Sequence, residues 1–363
     1  MRVRKDVDYC INYTLAGKIL LVGIREENSF MKIDRKYVNE AKEFIDKYQN
    51  EDIEINELSK TETKLFSSFN RLGYLDNGVK AKAAFNEFKS LGKEIITIRP
   101  NDKELLSQVN ELVKMLFLFL SVIAGGIYIY HSRAILPKQI DYVHMRIWEI
   151  ILTITLFPGL VMGLHEVGHC FLAKLFGVRI KSVSIGWFYI CPLLLVQYFG
   201  LNLEKQYKKI TVMLGGVYFN YLLAILGILI KALCGEFISE AVIDIWISAH
   251  FSLIITNLGL YGMTDGYYIV SNLIGIMNIR LKGYNCLNSI VKKRTIPKQH
   301  DVQLCGIILL ALFATSVISV YANIRYWLNL LCISSHIFEG IFLAIVVVLV
   351  VKFVLRVRDL SFA

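Results

Sequence analysis

The pattern of polar and apolar positions changes character near residue 110. Before that point apolar residues come in short runs. YCINYTL (9–15) and KILLVGI (18–24) flank Ala16-Gly17 and predict a β-hairpin. A helix is predicted over about 35–49. A second is predicted to begin near Ser59, where Ser59 and Glu62 have capping-box spacing, and to stop near Gly73. The stretch 79–92 again reads as helix, and EIITIRP (94–100) as a short strand ended by Pro100. Residues 1–108 are therefore expected to form a small α+β domain of winged-helix-like order. No internal repeat or low-complexity linker interrupts the chain.

From Leu112 onward the apolar runs are long enough to cross about 30 Å of hydrocarbon, which takes roughly 20 helical residues. Spans are predicted at about 112–130, 147–173, 210–230, 244–278, 303–321 and 337–355. The fourth is too long for one straight helix, and Gly259, Gly262 and Gly266 mark where it can break. Between the second and third spans, VSIGWFYICPLLLVQYFG (183–200) is apolar and aromatic but interrupted by Pro192. It predicts a hairpin or re-entrant piece packed against the body, because unpaired backbone cannot face lipid. The expected fold is a polytopic α-helical membrane body over 109–363, with about six spans of which one is broken, behind the small N-terminal domain.

Charge sharpens this division. The chain has 363 residues, 55% of them hydrophobic, and a net charge of +10. Residues 1–110 hold 19 Lys and Arg against 18 Asp and Glu, and the remainder holds 21 against 12. A near-balanced first part argues against nucleic acid as its partner, since neutralising several phosphates needs a basic surplus. In the membrane part the surplus lies in short loops, as expected where those loops face the cytosol. The segment 280–300 carries Arg280, Lys282, Lys292, Lys293, Arg294 and Lys298 and no acid, so it is placed inside. Counting spans backward puts 231–243 outside, with Glu236, Glu240 and Asp244 near it, and the connection 174–209 inside with six basic residues against Glu204. Both termini are then cytosolic. The loop 131–146 runs against the rule, with Arg133, Lys138 and Arg146 outside. MRVRKDVDYC lacks the apolar core of a secretory signal, so the N-terminal domain is expected to stay in the cytosol, and a bacterial cell membrane is the expected setting. The seven cysteines show no CxxC pair and read as packing residues; Cys170, directly after His169, could modulate a metal, but one neighbouring thiol is weak evidence.

The chemistry lies in HEVGH (165–169), inside the second span. Residues four apart on a helix sit about 40° apart around its axis, so His165 and His169 project from one face toward a common point. Glu166 lies about 60° from His169, near enough to reach a water at the same point without ligating the metal. Two imidazoles that hold zinc and a carboxylate that takes a proton from water acidified by the ion are the working parts of an HExxH peptidase. Ionisable groups within a span are costly unless paired or coordinated, which argues against coincidence. A catalytic zinc needs a third protein ligand. Asp265, in NLGLYGMTDG (257–266), is the leading candidate because no basic residue lies in its span. His250 is the weaker alternative, and Glu149 sits too near a span end.

Three segments together resemble the site-2 proteases, a family of intramembrane zinc metalloproteases, over roughly 147–278. HEVGHCFLAKLFGVRI (165–180) is similar to the family's metal-binding helix, MLGGVYFNYLLAIL (213–226) to its glycine-then-asparagine motif through Gly216 and Asn220, and NLGLYGMTDG to its third motif. The resemblance implies one zinc per chain, Asp265 as third ligand, Asn257 against substrate or oxyanion, and Asn220 orienting the substrate backbone. Leu260, Gly262 and Met263 stand where the family has prolines, Val217 replaces another, and nothing resembles a PDZ insert. The implied activity is hydrolysis of a membrane-associated protein or a small precursor peptide, with Glu166 as general base. The N-terminal element order is similar to the leader-peptide recognition domains of peptide maturation systems, which implies a peptide-docking role. The alternative is a non-catalytic metal-binding membrane protein, such as a transporter or an immunity protein, although a pure metal site has no use for Glu166. Oligomeric state is not encoded in these patterns.

Overall fold

The computed structural model describes residues 1–15, 17–81, 93–98, 104–133, 135–141, 143, 145–188, 191–234, 239–259, 264–276, 278–292, 300–332 and 335–359. The chain divides into two compact units. One comprises Met1–Gln108, Cys170–Val212 and Asn272–Gly275; the other comprises Val109–His169, Met213–Ser271 and Ile276–Ala363.

In the first unit the expected hairpin forms from β1 (Val7–Thr14) and β2 (Gly17–Ile24), antiparallel from Val7↔Ile24 to Thr14↔Gly17. Gly17 takes φ +106°, a conformation that side-chain-bearing residues avoid. A third strand, β3 (Ser29–Ile33), extends the sheet in the order β1-β2-β3. Helix α1 (Val38–Tyr48) buries Val38, Ala41, Phe44, Ile45 and Tyr48 at helical spacing. Helix α2 (Lys60–Leu72) starts on the expected capping box. Ser59 Oγ accepts from the Glu62 amide at 3.3 Å, and the Ser59 amide donates to Glu62 Oε2 at 2.8 Å. It ends at Gly73 with φ +77°. Phe44, Phe69 and Tyr74 stack edge to face in the core at centroid distances of 5.6 Å. The helix predicted over 79–92 lies outside the described residues beyond 81.

The strand predicted at 94–100 is present as β4 (Lys93–Ile98) but does not complete a winged-helix sheet. Its partner is β5 (Ile180–Phe188), which in turn pairs with β6 (Cys191–Tyr198), in the order β4-β5-β6. The segment 183–200 is thus a β-hairpin, as expected, in a separate three-stranded sheet. Pro192 falls at the start of β6, an edge strand, where a missing N–H is tolerated.

A short α6 (Gln206–Met213) belongs to the first unit but for its last residue, and the second unit is helical: α3 (Glu111–His131), α4 (Ile147–Thr155), α5 (Phe157–Leu175, as far as His169), α7 (Gly215–Cys234), α8 (Glu240–Leu258), α9 (Asp265–Ile274, as far as Ser271), α10 (Ile279–Val291), α11 (His300–Leu330) and α12 (Ser335–Asp359). Among the described residues four helices are long and apolar enough to cross a membrane, within α3, α7, α8 and α11, and a fifth if α4 and α5 count as one span bent by 43°. The predicted span 147–173 is therefore not straight. Pro158, in the first turn of α5, has no amide hydrogen with which to continue the α4 ladder, and the axis turns at Leu156. The overlong fourth span breaks where expected: α8 ends with Gly259 as its cap, and α9 begins at Asp265.

Two expected loops are helical in their described parts. The basic segment from 280 is mostly α10, which buries Ile279, Gly283, Tyr284, Cys286, Asn288 and Ser289, while Lys293, Arg294 and Lys298 lie outside the described residues. Glu240 and Asp244, read as loop acids, belong to the first turns of α8. Buried Asp244 accepts from Lys231 Nζ of α7 at 2.7 Å. Glu149 is buried as well, and its Oε2 accepts from the Arg146 amide at 2.7 Å, capping α4.

Candidate metal centre

All the groups discussed here belong to the second unit. Helical spacing on α5 brings His165 and His169 together, both buried at 5% exposure, with Nε2 atoms 3.3 Å apart. Asp265 meets them as the first residue of α9. Its Oδ2 lies 3.1 Å from His165 Nε2 and its Oδ1 lies 3.3 Å from His169 Nε2. The break between α8 and α9 is what aims this carboxylate. A helix start frees the direction of its first side chain from the residues before it, and the acidic group suits the positive end of the helix dipole.

These distances match what a metal would require. Donors held about 2.0–2.1 Å from a tetrahedral zinc lie roughly 3.3–3.4 Å from one another; here the two Nε2 atoms lie 3.3 Å apart, with one Asp265 oxygen 3.1 Å from His165 and the other 3.3 Å from His169. Asp265 Oδ2 is buried and accepts no hydrogen bond, even with His165 Nε2 so near. Such an orphaned buried acceptor beside a ring nitrogen is costly without a cation. Glu166 also has a ligand-type atom within 4.8 Å of those of the two histidines. Asp265 touches both imidazoles, and Glu166 stands beside the same pair.

Helix α7 approaches α5 through glycine. A Cβ on Gly168 would lie 2.3 Å from the Gly215 carbonyl oxygen, and one on Gly215 would lie 2.6 Å from the Gly168 oxygen, so the two backbones touch with no side chain between them. A Cβ on Gly216 would fall 2.3 Å from His165 Cε1 and Nε2. Glycine at 216 is required by the volume of that imidazole.

Asn220 is completely buried one helical turn beyond Gly216. Its Nδ2 lies 2.8 Å from His165 Nδ1, and its Oδ1 lies 3.0 Å from Nδ1 of the equally buried His250. Both ends of the amide are thus engaged by histidines, which favours a role toward His165 over the substrate contact expected of it. His250, considered as a ligand, reaches the cluster only through Asn220. Asn257, in the last turn of α8, uses its Nδ2 on the Leu253 carbonyl at 3.1 Å. The segment 260–263, where the family's prolines are replaced, lies outside the described residues.

The sequence reading missed Gly168 and the His250–Asn220 contact. Small residues recurring in two apolar helices were the available signal for the first. The second carries no signal at any fixed spacing.

Comparison with known proteins yields one match. A family model described as "Peptidase family M50" covers residues 152–349, more than half of the chain, and includes every group placed above. No curated protein and no solved structure matches.

Proposed function

The chain belongs to peptidase family M50, and from this membership we propose that it is an intramembrane zinc metalloprotease of the site-2 type. We assign it hydrolysis of a peptide bond in a membrane-associated protein or a small precursor peptide. The observation that carries the reading is the convergence of His165, His169 and Asp265 at 3.1–3.3 Å with Glu166 alongside.

His165, His169 and Asp265 would hold the ion. When bound, zinc acidifies water and polarises a carbonyl. Glu166 takes a proton from the attacking water as its oxygen bonds to the scissile carbonyl carbon, then delivers that proton to the amine nitrogen as the C–N bond breaks. The apolar surroundings of α5 and α7 keep bulk water from competing for these groups. A non-catalytic metal protein would need the three ligands but not Glu166.

Metal analysis tests the ligand set. The purified protein should hold about one zinc per chain, and a His169→Ala, Asp265→Ala double variant should hold almost none. Full occupancy in the double variant would overturn the assignment.

For the membrane topology we propose six crossings: the five apolar spans above and α12. Both termini and the 280–300 segment would be cytosolic, and 231–243 would face out. The motive is the basic surplus around 280–300. Single cysteines in these segments should react with an impermeant maleimide in intact cells only within 231–243. Labelling of 280–300 from outside would reverse the arrangement.

A further inference from the structure

Asn220 and His250 form a buried relay that ends on the far side of a metal-site imidazole. Both are 0% exposed, and each link is of hydrogen-bond length, 3.0 Å from His250 Nδ1 to Asn220 Oδ1 and 2.8 Å from Asn220 Nδ2 to His165 Nδ1. The His250 ring packs on Trp246 with centroids 4.5 Å apart, and its buried Nε2 meets no partner. A histidine that only fills space between helices need not end its bonding on a ring nitrogen opposite the ligand atom.

The direction of the relay matters. A neutral imidazole carries one hydrogen. With Asn220 Nδ2 donating to His165 Nδ1, the hydrogen of His165 sits on Nε2, where it blocks a metal. To ligate through Nε2, His165 must carry its hydrogen on Nδ1 and find an acceptor there. Turning the Asn220 amide by 180° supplies that acceptor and points Nδ2 at His250 Nδ1, which must then accept. His250 can do so because its own hydrogen can sit on Nε2. An imidazole therefore suits both directions of the relay, whereas an aliphatic or phenyl side chain suits neither.

We propose that His250 is a positioning residue for the metal centre: by accepting from Asn220 Nδ2 it lets the amide present Oδ1 to an Nδ1–H of His165, the form whose Nε2 lone pair is free for zinc. The proposal rests on His165 being a ligand, as read above. It assigns Asn220 to the metal centre and not to the substrate.

Zinc affinity, measured on the full-length protein by competition with a chelator of known strength, provides the test. His250→Phe keeps the ring volume against Trp246 and removes both nitrogens. Loss of an outer partner of a metal-binding histidine typically costs 10–100-fold in affinity, so His250→Phe should lose at least about 10-fold and Asn220→Ala a similar amount or more. His250→Gln, which retains a donor and an acceptor, should recover most of the loss. In the cobalt-substituted protein, His250→Phe should also shift the visible ligand-field bands, a change that looser packing elsewhere would not cause. Native affinity in His250→Phe would overturn the proposal, and so would equal losses in His250→Phe and His250→Gln. Asp265→Ala is measured alongside. Native zinc affinity in that variant would show instead that the ligand reading beneath the proposal has failed.

Discussion

Glu166→Gln should lower peptide-bond hydrolysis by about 10²–10⁴-fold while leaving zinc content at the native level. The substitution keeps the volume of the side chain and one of its oxygens, and it removes only the ability to take up a proton. The two carboxylates near the imidazoles make this variant decisive. If Asp265 is the third ligand, at 3.1 and 3.3 Å from the two Nε2 atoms, the amide at 166 changes chemistry without changing occupancy. If Glu166 were the ligand, zinc would be lost together with activity. Cleavage assays in detergent or liposomes, run in parallel with elemental analysis, separate the two. Native turnover in Glu166→Gln would remove the residue from the reaction altogether.

Gly216→Ala should cost at least about 10-fold in zinc affinity, although nothing at position 216 ligates. In a helix this change alone stabilises by about 1 kcal/mol. Here the new methyl would stand 2.3 Å from His165 Nε2 and Cε1 and 2.6 Å from Cδ2, closer than any real contact. The ring cannot simply swing aside, because Asn220 holds Nδ1 and Asp265 faces Nε2. Either the ring leaves its place or α7 retreats from α5, and overpacking of this kind costs typically 1–3 kcal/mol. Dialysis against a chelator followed by zinc analysis, with a thermal melt of the metal-free protein, checks both effects. A Gly216→Ala protein that keeps its zinc as the native chain does would show that the imidazole has room to move.

The clustering of His165, Glu166 and His169 was legible in the sequence because their relation is local. Four residues of helix fix two side chains on one face whatever the rest of the chain does. Asp265 was legible for an energetic reason, since a lone carboxylate in an apolar stretch needs a partner. The relay was not, because Asn220 and His250 lie on different helices 30 residues apart and no periodicity relates them. The same limit applies to β4, whose strand character was legible but whose partner β5 lies more than 80 residues downstream, beyond any local pattern. SFMKI is too short for alternation to mark β3, and the basic residues of α10 mask its helical period. Pro158 in the sequence accounts for the bend at Leu156.

The contact between Gly168 and Gly215 bears on how the motif can drift. Written as a pattern, His-Glu-x-x-His has two free spacers of equal standing. In this chain they are unequal. Val167 is 50% exposed and can be exchanged for any residue that suits its surroundings, whereas Gly168 presses against the Gly215 carbonyl oxygen and leaves no volume for even a methyl group. A change at 168 would need compensation on a different helix 47 residues away, where Gly215 has no atoms left to remove. Of the five positions in the motif, this fold leaves one open to variation.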